Sequence, residues 1–126
     1  MDRRGIKTIV KSAIILLIIS VGFVSCEKYV YDPPTVDPEV DVLFATEIVP
    51  LFTANCLGCH GCAISPDLRA ANAYESLTDG GYVNTTTPET SRIYTKITSN
   101  HATSTNISEL DRLKLLTWIT QGAKNN

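Results

Sequence analysis

The sequence predicts an all-α fold of three to five short helices. Three observations lead to this prediction: helix-capping patterns recur after residue 42, prolines and glycines mark the ends of the predicted helices, and no credible β-hairpin is present. With 126 residues, of which 44% are hydrophobic and 19% charged, the chain has the size of one small domain. This size excludes most multidomain enzymes.

The first two predicted helices follow from capping and turn residues. Thr46-Glu47 is the predicted cap of the first helix, and Pro50 is expected in its first turn, where proline is tolerated. This helix is expected to end near Cys56. A short second helix is predicted from Asp67 or Leu68 to Leu77, ended by the pair Gly80-Gly81.

The third and last helices carry clearer start signals. Thr87-Pro88-Glu89 has the order of an N-cap, a proline and an acid, and opens a predicted helix that reaches about Ile97. A capping box at Asn106 to Glu109 or at Ser108 to Asp111 opens the last helix. Gly122 is expected to end it.

A continuous apolar run occupies residues 12–24 and follows a start that carries four Lys and Arg residues. Its length of about 13 residues is too short to span a membrane, and the arrangement is typical of a secretory signal. The junction Val24-Ser25-Cys26 resembles the lipobox of bacterial lipoproteins, in which the cysteine carries the lipid. We therefore predict a signal peptide and lipidation at Cys26; an ordinary cleaved signal is the alternative.

Residues 27–41 contain three prolines and five acids against one base, with no helical or alternating period. This composition is typical of an extended tether. The predicted organisation is a signal peptide over 1–25, the lipidated cysteine and tether over 26–41, and one folded domain over 42–126. Residues 26–126 carry seven Lys and Arg against twelve Asp and Glu, a formal charge of −5, so nucleic acid is not an expected partner.

Three of the four cysteines lie within the segment Cys56-Leu57-Gly58-Cys59-His60-Gly61-Cys62. The order Cys-x-x-Cys-His is the attachment signature of c-type haem. Its two thiols add to the porphyrin vinyl groups, and the adjacent histidine is the proximal iron ligand. Because the chain carries an export signal, the motif predicts one covalently bound haem c, attached through Cys56 and Cys59, with His60 as iron ligand.

Three other sites would use the same residues. Zinc would need four ligands, for which the three clustered cysteines and either His60 or His101 are available. An iron–sulfur cluster would need a fourth cysteine where Pro66 stands. A thioredoxin-like redox motif would need a βαβ context, which the downstream sequence lacks.

Residues 42–126 resemble a small monohaem cytochrome c domain of the planctomycete type. The resemblance rests on the haem motif, on Ser65-Pro66-Asp67-Leu68, on residues 91–97 and on residues 118–123. It covers the whole predicted domain. The resemblance implies a cytochrome c fold, with short helices around one haem that supplies part of the core.

The resemblance also implies two contacts. A phenylalanine one turn before the haem motif packs on an aromatic residue of the last helix; Phe52 has this position, with Trp118 and Leu115 as its partner surface. The carbonyl of Pro66 accepts the second ring N–H of His60, which would raise the basicity of the ligand.

The sixth iron ligand of the family is usually a methionine in the loop before the last helix. The only methionine here is Met1, within the predicted signal peptide. His101 lies in that loop and is the only histidine besides His60, so ligation by both histidines is predicted. The alternatives are a solvated His101 with five-coordinate or water-ligated iron, and ligation by Lys96.

Several side chains are available for the haem propionates, and Arg92 and Tyr94 are the preferred pair among them: Arg69, Tyr74, Tyr82, Arg92 and Tyr94. Cys62 has no place in the haem motif. We expect it to be a small buried residue.

These features predict a lipid-anchored monohaem cytochrome c at the cell envelope, periplasmic or associated with the outer membrane. It would transfer single electrons between redox partner proteins and would not be an enzyme. The alternatives are a five-coordinate haem protein that binds or reduces a small ligand, with peroxidatic activity, and a haem module dedicated to one dehydrogenase.

Overall fold

The computed structural model describes residues 3–21, 28–102 and 104–126. The chain divides into two units, Met1–Asp32 and Pro33–Asn126. The first unit contains helix α1, Arg3–Val21. In the described ranges, no helix is both long and apolar enough to cross a membrane. The predicted lipidation site, Cys26, lies outside the described residues.

The second unit is helical, and no strand occurs among its described residues. The prediction of an all-α fold is therefore confirmed at the level of secondary structure. In chain order the unit contains a π-helix, Phe44–Ile48, that continues into α2, Val49–Asn55; α3, Leu57–His60; α4, Ala73–Thr78; α5, Arg92–Thr98; and α6, Glu109–Thr120. Single 3-10 turns, Pro88–Thr90 and Ser104–Asn106, precede α5 and α6.

The first helical segment begins two residues before the predicted cap at Thr46. Leu43 is its N-cap residue, and the Leu43 backbone N–H donates a hydrogen bond of 2.9 Å to the carboxylate of Glu47. An acid that reaches back to the first backbone N–H is one half of a capping box. Pro50 lies in the first turn of α2, as expected.

The second predicted helix is shorter than expected, because its first residues form a loop around Asp67. The Asp67 carboxylate accepts hydrogen bonds from the Arg69 guanidinium and from the Asn72 amide. A side chain that satisfies nearby donors in this way competes with helix formation. Only Ala73–Thr78 is α-helical.

The third predicted helix is interrupted at Ser91. Its ψ of 131° is extended, so the 3-10 turn before it and α5 after it are separate elements. Ser91 is buried, and its hydroxyl accepts from the Asn84 N–H at 2.9 Å and lies 3.3 Å from the Asn84 carbonyl. These contacts fix the interruption.

The boundaries of α6 follow the predicted signals. Ser108 Oγ accepts the Asp111 N–H at 3.1 Å and donates to the Asp111 carboxylate at 2.7 Å, which confirms the second of the two capping boxes. After the helix, Gly122 adopts a φ of 97°, and the Ala123 N–H returns to the Trp118 carbonyl. Only glycine adopts this conformation at little cost, so Gly122 ends α6 as predicted.

The core lies between the first helical segment and α6. Trp118 is fully buried, and its ring centre lies 5.0 Å from that of Phe44, which in turn meets Tyr74 edge-on at 5.4 Å. Phe52, the residue expected beside Trp118, is also fully buried in this core. The aromatic ring in contact with Trp118 is that of Phe44, which lies two helical turns before Phe52 on the same face.

The two ends of the second unit are joined by what we call the terminal clasp, formed by residues 38–45 with Gln121 and Asn126. Gln121 accepts the Val42 N–H at 2.8 Å and donates to the carbonyls of Pro38 and Val40. Asn126 accepts the backbone N–H groups of residues 44 and 45. The last part of the predicted tether is therefore bound to the domain.

Candidate functional site

The haem-type motif lies on one turn of helix. Cys56 is the N-cap residue of α3, and its carbonyl accepts the N–H groups of Cys59 at 3.2 Å and His60 at 2.9 Å. Cys56 is buried and Cys59 exposed, and neither is in a disulfide. Burial raises the pKa of the Cys56 thiol, so this residue is a neutral thiol at pH 7.

The chain leaves α3 in a tight turn. A Cβ at Gly61 would lie 2.8 Å from the Leu57 carbonyl oxygen, so this position requires glycine. Cys62, which follows, has a φ of 135° and is exposed. The expectation that Cys62 is a buried small residue is wrong, because this turn places it at the surface.

The ring of His60 is held by two backbone carbonyls. Its Nδ1 lies 3.1 Å from the Ile64 oxygen and 3.1 Å from the Pro66 oxygen. Because a carbonyl only accepts hydrogen bonds, Nδ1 is the donor, and in the neutral ring this arrangement leaves the lone pair on Nε2. The contact with Pro66 is the one implied by the resemblance; the contact with Ile64 has no signal in the sequence, since any residue supplies a carbonyl.

The segment that carries these carbonyls is fixed on both sides. The Leu68 N–H donates to the His60 carbonyl at 2.8 Å, and the Asp67 N–H donates to Ser76 Oγ of α4 at 2.8 Å. The Arg69 guanidinium and then the Asn72 amide, both hydrogen-bonded to Asp67, hold the pKa of this carboxyl well below its usual range. The Asp67 carboxylate is therefore ionised at neutral pH, and it joins Arg69 and Asn72 within the loop that precedes α4.

A cavity of about 330 Å³ lies against this turn. Its wall includes both motif cysteines and His60, residues 64–66 with Leu68, one face of α5, and His101. Arg92 and Lys96 are the charged side chains in the wall, and no Asp or Glu lines it in the described part of the chain. The cavity is thus apolar with a cationic edge, although residues 26–126 are acidic as a whole.

His101, which lies in the loop before α6, lines the same cavity as His60. Its ring centre lies 6.1 Å from that of His60, with 42° between the ring planes. The side chain is exposed, and the His101 N–H donates to the Ser99 carbonyl at 2.9 Å. The structure therefore brings together the two histidines named in the sequence analysis.

Of the two preferred propionate partners, the structure places one at the cavity. Arg92 lines it, with its guanidinium carbon 4.7 Å from the ring centre of Tyr82, which also lines it. Tyr94 is half-buried against the core and is not in the wall. The reason is the helical period: residues 92, 93, 96 and 97 share one face of α5, and residue 94 points away from it. Tyr82 takes the position expected for Tyr94.

The zinc alternative lacks support in the described ranges. No group of three or more His, Cys, Asp or Glu side chains is arranged there to hold a metal ion. A structural zinc site would need four such ligands around one point. A haem iron needs at most two from the protein, because the porphyrin supplies four nitrogens.

Comparisons with protein-family models, curated proteins and solved structures found no match to this chain.

Proposed function

We propose that residues 42–126 form a monohaem cytochrome c domain that passes single electrons between redox partner proteins. One observation carries the proposal: the rings of His60 and His101 lie 6.1 Å apart at a cavity that Cys56 and Cys59 also line. Four residues with the chemistry of haem attachment and iron ligation thus share one apolar cavity.

The separation of the two rings fits a metal ion held between them. An imidazole nitrogen binds a transition metal at about 2 Å, and the ring centre lies about 1 Å behind that nitrogen, so two axial imidazoles have centres roughly 6 Å apart. The protonated Nδ1 of His60 supports the same arrangement, because it leaves the Nε2 lone pair free for a metal.

The cysteines have the task of holding the cofactor. In thioether formation, each S–H adds across a vinyl C=C, so the sulfur bonds to one carbon and the hydrogen goes to the other. The neutral thiol of Cys56 and the exposed thiol of Cys59 lie on one turn beside His60, as this double attachment needs.

The cationic edge of the cavity suits the two carboxylates of a haem. Arg92 stacks over Tyr82 and is held there by a cation–π contact, while Lys96 lies one turn along the same face of α5. Arg92, Tyr82 and Lys96 are the side chains we assign to the propionates.

When bound, the haem would supply a one-electron change of its iron. Two imidazole ligands stabilise ferric iron more than an imidazole and a thioether do, so the potential would be lower than with a methionine ligand. Such a protein needs only a small, transient contact with its partner. We further propose that lipid on Cys26 holds the domain at the cell envelope, with the prolines of the following segment as spacer.

Covalent attachment is the direct test of the proposal. The mature protein should carry one haem in its intact mass and retain it in acid–acetone, whereas Cys56→Ser and Cys59→Ser should each lose one thioether and attach haem less completely. Cys62→Ser is the matched control, because Cys62 is exposed and lies outside the motif. Haem that leaves the wild-type protein in acid–acetone would contradict the assignment.

A further inference from the structure

Arg112 of α6 connects the last helix to the loop that carries His101. Its Nη2 donates a hydrogen bond to the backbone carbonyl of Ser104. Ser104 is only 5% exposed, and it donates twice to the His101 carbonyl, from its N–H at 3.0 Å and from its hydroxyl at 2.7 Å. A continuous chain of hydrogen bonds thus runs from α6 through Ser104 to the backbone of His101.

The Nε atom of Arg112 lowers the stability of the fold. It is buried and has no hydrogen-bond partner among the described residues. A buried donor without a partner loses its hydration and gains nothing in return, so it lowers stability. The cost at Nε thus offsets part of what the Nη2 bond to Ser104 contributes to stability.

Among the described residues, His101 makes few hydrogen bonds besides those to Ser104. Its side chain is exposed, and its backbone bonds to Ser99, two residues earlier. The position of the ring therefore follows from the position of the His101 backbone. We infer that Arg112 is a positioning residue that, acting through Ser104, holds His101 at the cavity opposite His60; this rests on the proposed function, in which His101 is the second iron ligand.

The inference predicts that loss of the Arg112 contact weakens ligation by His101. Because an added imidazole must displace His101, its affinity for the ferric protein reports how strongly His101 is bound. Loss of a charge-assisted hydrogen bond should raise that affinity roughly tenfold in Arg112→Met, and the hydroxyl of Ser104 should be worth roughly fivefold in Ser104→Ala. Arg112→Lys keeps a cationic donor and should restore part of the effect.

The matched control is Lys114→Met. It removes the same charge from the same helix, but Lys114 lies two residues further along α6, on another face, and pairs with Glu47 at 3.0 Å. Imidazole titration of the purified haem-loaded protein, followed by its optical spectrum, should leave this variant unchanged. Exchange of the Ser104 amide hydrogen gives a second measurement, which should be faster in Arg112→Met and unchanged in Lys114→Met.

Four outcomes would overturn the inference. If Arg112→Met loses thermal stability while its imidazole affinity stays at the wild-type value, Arg112 is only structural. If Arg112→Met does not load haem, Ser104→Ala decides, and an unchanged affinity in that variant rejects the relay. If His101→Ala has the same ferric spectrum as the wild-type protein, His101 is not an iron ligand, and the inference fails with the proposed ligation. If the spectrum of His101→Ala changes but the imidazole affinity of Arg112→Met equals the wild-type value, the inference alone is rejected.

Discussion

The two sides of the cavity are held by different kinds of contact. On the side of His60, the ring bonds to carbonyls four and six residues later, and the segment closes on itself through Leu68. On the side of His101, the loop depends on a residue of α6 that lies eight positions after Ser104. The His60 ring is thus held directly by carbonyls of its own segment, which is joined to α4 through Ser76, whereas His101 is held only through its backbone and the Ser104 bond to α6.

This difference means that the two histidines should respond differently to damage. His60 lies on a turn whose contacts form within a short stretch of chain, so its position should survive changes elsewhere. His101 is exposed and needs α6 to be folded and correctly placed. The distal side is therefore the side at which ligand exchange should begin.

The largest expected effect is that of His60→Ala. Without this ligand the protein should retain neither six-coordinate iron nor most of the stability that the haem provides. His101→Ala should keep covalent haem, become high-spin in the ferric state and bind carbon monoxide when reduced. Optical spectra of both variants, with and without carbon monoxide, check this order.

A replacement sharpens the test on the distal side. His101→Met supplies the thioether that the chain lacks after its first residue, and should raise the reduction potential. Should wild-type iron already be high-spin and bind carbon monoxide, the ligand-binding alternative would be favoured over electron transfer.

A smaller effect is expected at the turn after His60. Gly61→Ala places a Cβ within 2.8 Å of a backbone oxygen, and we expect a loss of about 1–3 kcal/mol in the free energy of unfolding. Gly58→Ala, on the same turn, meets no protein atom within 4 Å and should lower the free energy of unfolding less than Gly61→Ala does. Denaturant titration of the two holoproteins measures both values; equal effects would contradict the role of Gly61.

The smallest effect concerns Glu47, which pairs with Lys114 of α6. The Leu43 backbone N–H and then Lys114 lower the pKa of Glu47 in the folded protein. A lowered folded pKa gives stability that is present above the unfolded value of about 4.3 and is lost as the pH falls through the folded value. We expect Glu47→Gln to lower the free energy of unfolding by roughly 0.5 kcal/mol at pH 7. Below about pH 4, where Glu47 of the wild-type protein becomes protonated, the two proteins should differ less in stability.

The control is the Glu47→Gln change made in a protein that already carries Lys114→Met. Part of the effect should disappear there, whereas the bond to Leu43 remains in both backgrounds. Denaturation at pH 7 and pH 3 measures the difference. The ferric spectrum should be the same in all these variants, because neither residue contacts the cavity.

The parts of the fold that depend on local signals could be predicted from the sequence. The cap at Ser108 and the end of α6 at Gly122 use short-range patterns, and both are where the sequence places them. The early start of the first helical segment and the break at Ser91 were not predicted, because each depends on a side chain that bonds to backbone several residues away.

The same distinction applies to the site. The Cys-x-x-Cys-His spacing identifies its residues in the chain, and the approach of His101 to His60 follows the predicted loop position. Tyr82 could not be preferred over Tyr94 without knowing which face of α5 meets the cavity. Phe44, by contrast, lies four residues before Ile48 and eight before Phe52, so the helical period in the sequence places all three on one face.

The terminal clasp has a consequence for protein engineering. The N–H of Ala45 donates to the carbonyl of Asn126 at 2.9 Å, so the segment that enters the domain lies beside its last residue. A domain with adjoining ends tolerates circular permutation and insertion into a host loop, because closure over so short a gap costs little entropy. New ends opened in the exposed loop at residues 85–87 would leave the segments that carry His60 and His101 intact.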